Sequence, residues 1–193
     1  MNIILASTSK TKSDILNIVG IKHTCQKSIE LDVKEKDFYK YAEQKAIGKA
    51  KSVKDKGIII GLDTITIIND KIVEKPKSIE EARENIVNSS NNTTTVITGY
   101  GIINTYTNEE VSGSTKTDIT FRNIPTCDID YYIQNEKDAM YASGFILETY
   151  MSNFIKEIKG SYYNIIGVPV EKIYEVLENW NIHLKDINWY LFS

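Results

Sequence analysis

What most constrains this chain is the alternation of short apolar, β-branched runs with longer stretches of helical period, the pattern of an α/β domain. The clearest run, Gly57-Ile58-Ile59-Ile60-Gly61-Leu62, is a buried strand by its length, its branching and its flanking glycines, and it passes into Asp63-Thr64. Asn2 to Ala6 predicts a first strand; a polar turn from Ser7 to Lys12 follows, then a helix with Ile15, Leu16, Ile18 and Val19 on one face, stopping at Gly20. From Asp37 to about Lys56, Phe38, Tyr41, Ala42, Ala46, Ala50 and Val53 keep helical spacing and predict the longest helix. Ile65 to Ile68 and Lys71 to Val73 flank Asn69-Asp70, a tight-hairpin pair, and Ser78 introduces a helix from Ile79 to Val87.

Thr93 to Thr107 and Val111 to Phe121 predict long antiparallel strands around an Asn108-Glu109 turn. A helix from Cys127 to Asn135, a strand from Asn153 to Ile158 and a closing helix from Val170 to Asn179 complete the reading. Gly160-Ser161 and Asn164 to Pro169 form a small-residue, strand-like entry to that helix. No repeat or linker interrupts the chain, so one domain over residues 1–193, with room for two lobes, is the simplest account.

Composition narrows the function. The basic residues are 21 Lys and only two Arg, Arg83 and Arg122, against 26 acidic residues, for a net charge of −3. A slightly acidic chain without a dense lysine cluster is a poor nucleic-acid coat, although small polyanions need only a few local cations. The apolar run near the start, Ile3 to Ala6, is far short of a signal core or membrane span, so a cytoplasmic protein is expected. Cys25, Cys127, His23 and His183 lack metal-site spacing, which argues against structural zinc.

Several residues have the chemistry for a phosphate site. The turn from Ser7 to Lys12 brings hydroxyls, free N–H groups and lysines to a helix start, which suits a phosphate; equally, Ser9 caps the helix and the lysines face solvent. Asp63 ends a buried run, where a carboxylate needs an ionic or polar partner such as a metal ion or an activated water, or else closes a turn. Glu30 and Asp32 project to one side of an extended segment and either suits a hard divalent cation beside Asp63; alone they are a surface pair. Lys45 borders the apolar stripe of the long helix, on the row of Tyr41 and Lys49, and Lys75 is fixed by the proline after it.

In order, these elements resemble the Maf family of nucleoside triphosphate pyrophosphatases, also called septum formation proteins. The likeness rests on Leu5-Ala6-Ser7-Thr8-Ser9, Gln44-Lys45-Ala46, Ile60-Gly61-Leu62-Asp63-Thr64, Glu74-Lys75-Pro76, Val96-Ile97-Thr98-Gly99 and the segment from Ile158 to Pro169. It implies a mixed α/β fold with an elongated twisted sheet flanked by helices and an active-site cleft between two lobes, as in the inosine triphosphate pyrophosphatase group. It also implies a Mg²⁺- or Mn²⁺-dependent, cytoplasmic homodimer that cleaves nucleoside triphosphates to monophosphate and pyrophosphate, clearing modified or non-canonical nucleotides. Carried over residue by residue, Asp63 is metal ligand and general base, with Asp32 or Glu30 as a further ligand. Lys45 and Lys75 hold phosphates, and Ser7, Ser9, Thr11 and Lys12 form the phosphate turn.

Two departures mark this chain. The family's paired arginines are Thr11 and Lys12, so anion binding falls to point-charge ammoniums. The segment Ala139 to Glu148 ends in Glu where the family has Gln, a likeness to the branch associated with 7-methyl-GTP, whereas Asp63-Thr64 looks like the dTTP and UTP branch. An inosine or xanthosine triphosphate pyrophosphatase and a non-catalytic nucleotide-binding septation regulator are the rival readings. The tail Trp189-Tyr190-Leu191-Phe192 is expected to bury against a partner subunit or against its own domain.

Overall fold

The computed structural model describes residues 1–135 and 140–187 of the 193-residue chain. The elements are β1 (Ile3–Leu5), α1 (Lys10–Ile18), β2 (Thr24–Cys25), α2 (Phe38–Ser52), β3 (Ile58–Ile68), β4 (Lys71–Val73), α3 (Ile79–Ser89), β5 (Thr93–Asn104), β6 (Glu109–Phe121), α4 (Thr126–Asn135), β7 (Ile155–Lys159), α5 (Tyr162–Ile165), α6 (Val170–Asn179) and α7 (Leu184–Ile187). Among the described residues seven strands form a mixed sheet in the order β2-β1-β3-β5-β6-β7, with β4 paired to β3. β1 runs parallel to β2 and β3, whereas β4 on β3 and β7 on β6 are antiparallel. The expected mixed α/β architecture is present. Among the described residues no helix is long and apolar enough to cross a membrane.

The chain divides into two compact units. The first comprises Met1–Thr64, Ile97–Thr115 and Tyr162–Ser193; the second comprises Ile65–Val96 and Lys116–Ser161. In the first unit, strand alternation sorts side chains between two faces. Ile3 and Leu5 of β1, with Ile58, Ile60 and Leu62 of β3, join Leu16 of α1 and Ile173 and Leu177 of α6 in one core. Ile4, Ala6 and Ile59 point the other way, against Ala50 and Val53 at the end of α2. Ser9 caps α1 by accepting from the Lys12 amide at 3.4 Å, and Asp37 caps α2 through the amides of Tyr39 and Lys40.

In the second unit, β3 and β4 close a hairpin on Asn69 and Asp70, both at positive φ (51° and 58°), as that residue pair predicts. Ser78 caps α3, and Arg83 Nε lies 3.0 Å from Asp130 Oδ1 of α4. Tyr132 is fully buried, its hydroxyl accepting from the Ile146 amide, and Phe121 meets Phe145 edge-on with ring centroids 5.6 Å apart.

Four expectations are corrected. The strand carrying Asp63 does not end there: β3 runs on through Ile68, so Asp63 sits mid-strand. Asn164 to Pro169 is not strand-like, because Tyr162–Ile165 forms a helical turn and Gly167 takes φ 89°, a left-handed value suited to glycine. Asn153 lies in a 3-10 turn, Tyr150–Phe154, ahead of β7, and α7 follows the helix expected to close the chain. Ala139 and the tail Trp189 to Phe192 lie outside the described residues.

Candidate active site

The site in the first unit begins with the close approach of α2 to the sheet. Ala42, Ala46 and Ala50 are fully buried at four-residue spacing, one small stripe along the helix. Opposite them the sheet carries glycines. A Cβ on Gly61 would stand 2.2 Å from the Ala46 carbonyl oxygen, and one on Gly99 2.0 Å from that of Ala42, so no side chain fits at either position. On β3, Ile59, Gly61 and Asp63 share the face turned toward α2. Lys45 and Lys49, each one residue before an alanine of the stripe, are thereby held at the edge of that contact.

The consequence is a tight cluster of charge. Lys49 Nζ lies 2.6 Å from Asp63 Oδ1 and 2.9 Å from Glu30 Oε1, and Lys45 Nζ lies 3.3 Å from Glu30 Oε2. Lys49 and Asp63 are nearly enclosed, at 12% and 13% side-chain exposure. Burial opposes the Lys49 charge, but the Asp63 carboxylate and then Glu30 outweigh it and raise its pKa. Glu30 responds in kind: partial burial works against its charge, and the hydrogen bonds and fields of Lys49 and Lys45 win, lowering its pKa.

Lys12 completes the cluster from α1. Its Nζ donates to the Leu62 carbonyl at 3.2 Å, beside Asp63. Burial, reinforced by repulsion from Lys49 and only partly countered by Asp63 and Glu30, pulls its pKa down to about 8. Ahead of it, Ser7 Oγ accepts from the Ser9 amide, and Thr11 is exposed in the first turn of α1. Ser9 performs the cap that the turn sequence predicts, with Lys12 turned inward to the carbonyl of Leu62. Next to Asp63, the buried Thr98 hydroxyl donates to the Asn164 carbonyl at 2.9 Å and contacts the Thr64 hydroxyl at 3.2 Å.

Of the carboxylates expected beside Asp63, Glu30 reaches it through a shared ammonium. Asp32 is exposed and makes no side-chain hydrogen bond or ion pair among the described residues. Lys75 and Glu148 belong to the second unit: Lys75 is exposed with its ammonium 4.6 Å from the Tyr141 ring centroid, and Glu148 is exposed on a turn. Lys49 was not singled out from the sequence. The available signal was its place one helical turn beyond Lys45, on the face that meets β3.

Among the described residues no group of three or more His, Cys, Asp or Glu side chains is placed to hold a metal ion. Asp63 and Glu30 nevertheless converge on a single cation, the Lys49 ammonium. Magnesium commonly takes one or two carboxylates and completes its shell with water and substrate phosphates, so this oxygen pair fits such an ion.

A family model described as Maf-like protein matches residues 2–180. Among curated proteins, a dTTP/UTP pyrophosphatase of Clostridium perfringens (strain SM101 / Type A) is 33% identical over 189 residues, spanning 94% of this chain and 98% of the relative. Proteins of the same name from Thermosipho melanesiensis and Thermosipho africanus are 32% and 30% identical over 178 residues, each spanning 92% of this chain and 97% and 92% of the relative. With a family model matched over nearly its whole length and relatives aligned end to end, the chain belongs to the Maf-like protein family.

Proposed function

We propose that this protein is a nucleoside triphosphate pyrophosphatase, releasing pyrophosphate and a nucleoside monophosphate, with dTTP and UTP as preferred substrates. The observation that carries the reading is the meeting of Asp63, Glu30, Lys45, Lys49 and Lys12 in one cluster at the start of α1. That cluster joins a carboxylate suited to accept a proton with several ammoniums suited to a polyphosphate. The choice of dTTP and UTP follows the names of the relatives.

In this reading water forms the new bond to the α-phosphorus, the bond to the bridging oxygen of the pyrophosphate breaks, and Asp63 takes the water proton. The ammoniums of Lys12 and Lys45, with the hydroxyls of Ser7, Ser9 and Thr11, hold the phosphates, and the family resemblance adds Lys75 as a further phosphate partner. Asp63 and Glu30, with Asp32 as a further candidate, would hold a Mg²⁺ or Mn²⁺ ion. Such an ion, when bound, stabilises the charge developing on the departing pyrophosphate. A cytoplasmic homodimer remains part of the proposal through the family resemblance. Incubation with Mg²⁺ or Mn²⁺ and a panel of canonical and modified triphosphates is expected to yield monophosphate and pyrophosphate in equal amounts, fastest with dTTP or UTP. Release of orthophosphate instead, or nucleotide binding without turnover, would overturn the reading.

Glu148 supports a second preference. A carboxylate accepts hydrogen bonds and matches the ring N–H and amino group of a guanine-type base. Glu148→Gln is therefore expected to lower kcat/KM for 7-methyl-GTP relative to UTP by about tenfold, in line with the loss of a paired polar contact. An unchanged ratio removes Glu148 from base selection.

A further inference from the structure

Lys49 occupies a position that the proposed chemistry leaves unexplained. Its ammonium stands between the two carboxylates that the metal reading assigns as ligands, in contact with an oxygen of each. A small divalent cation holds carboxylate oxygens at about 2.0–2.2 Å, closer than the ammonium does, and two cations cannot share that focus. The lysine is also the wrong group to be there by chance. It is nearly enclosed, its stem lies on a helix pressed against the sheet through Gly61 and Gly99, and both of its partners are anionic.

Formal charges sharpen the point. Glu30 and Asp63 contribute two negative charges, and Lys12, Lys45 and Lys49 three positive ones, so the cluster without ligand carries an excess of one positive charge. That balance disfavours a free divalent cation and favours a polyanion. We propose that Lys49 is the resident counter-ion of the Asp63–Glu30 pair, which a divalent cation must displace, so that Lys49 weakens metal binding to the free protein and ties metal entry to the arrival of the triphosphate. The displaced ammonium, carried on a four-methylene stem from α2, remains within the site to meet a phosphate oxygen. This inference rests on the assignment of Asp63 and Glu30 as the metal ligands.

The test is an equilibrium titration with Mn²⁺ alone, followed by the electron paramagnetic resonance signal of the free ion, with no nucleotide present. Lys49→Met, which keeps the length and removes the charge, is expected to bind Mn²⁺ at least about tenfold more tightly than wild type, a modest share of the interaction between close charges. Lys49→Gln is expected to move in the same direction, which preserves the test should one variant fold poorly, and Lys49→Arg is expected to stay near wild type. Adding Asp63→Asn to Lys49→Met should abolish the gain. If the Lys49 variants bind Mn²⁺ no more tightly than wild type while binding still depends on Asp63, the metal assignment stands and the counter-ion inference fails. If no Asp63-dependent binding is found in any variant, both fail.

Discussion

Asp63→Asn is expected to reduce pyrophosphate release by about a thousandfold while leaving the fold intact, the middle of the range for loss of a positioned general base. The substitution keeps the size of the side chain but removes its ability to take a proton from water. It also removes one of the two anions facing Lys49. The ammonium keeps its contact with Glu30 at 2.9 Å, so it is not left alone in a nearly closed site, and the core residues on either side of the strand are untouched. The expected signature is a collapse of kcat with a thermal midpoint close to wild type. Activity within about tenfold of wild type would show that another group activates the water and would take the central role from Asp63.

The position of Asp63 also shows how far the sequence could be followed. The strands are legible as apolar runs, Asn2 to Ala6 for β1 and Gly57 to Leu62 for the first half of β3, and Asn69-Asp70 predicts the tight hairpin, which closes with both residues at positive φ. The strand boundary is not. A carboxylate after five apolar residues looks like a terminus because burying it alone is costly, so the local pattern predicts a strand end at Asp63. The compensation comes from Lys49, fourteen residues earlier on another element, and no local pattern carries that information. Residues 164–169 failed for a related reason. Ile165-Ile166 and Val168 have strand propensity, yet the backbone turns: Asn164 O is taken by Thr98, and Gly167 packs where a Cβ would meet the Thr64 hydroxyl and the Lys12 stem. Motif order identified the family. Tertiary docking alone brought in Lys49 and turned Lys12 inward.

That docking makes Gly99 the most sensitive position expected for stability. Adding one methyl group there would place a Cβ 2.0 Å from the Ala42 carbonyl oxygen, 2.2 Å from its carbon and 2.6 Å from the Glu43 nitrogen. All three atoms are helix backbone, so no side-chain rotation relieves the overlap and α2 must move off the sheet. Gly99→Ala is therefore expected to cost roughly 3 kcal/mol, at the upper end for overpacking a core. For a chain of this length that corresponds to a fall of about 10 °C in Tm. Because Lys45 and Lys49 ride on the displaced helix, the folded fraction should also lose activity. Gly48→Ala supplies the contrast on the same helix. Its Cβ would meet Leu31 Cδ2 at 3.0 Å and Leu31 Cβ at 3.1 Å, an exposed residue outside any helix or strand that can give way. Alanine is favoured over glycine in a helix interior by about 1 kcal/mol, so Gly48→Ala should be neutral or stabilising. Thermal melts of the two variants decide the matter: a Gly99→Ala protein melting within about 2 °C of wild type, a shift worth at most about 1 kcal/mol, would mean that α2 is not seated by glycine contact. The placement of Lys49 against Asp63 would then need another cause.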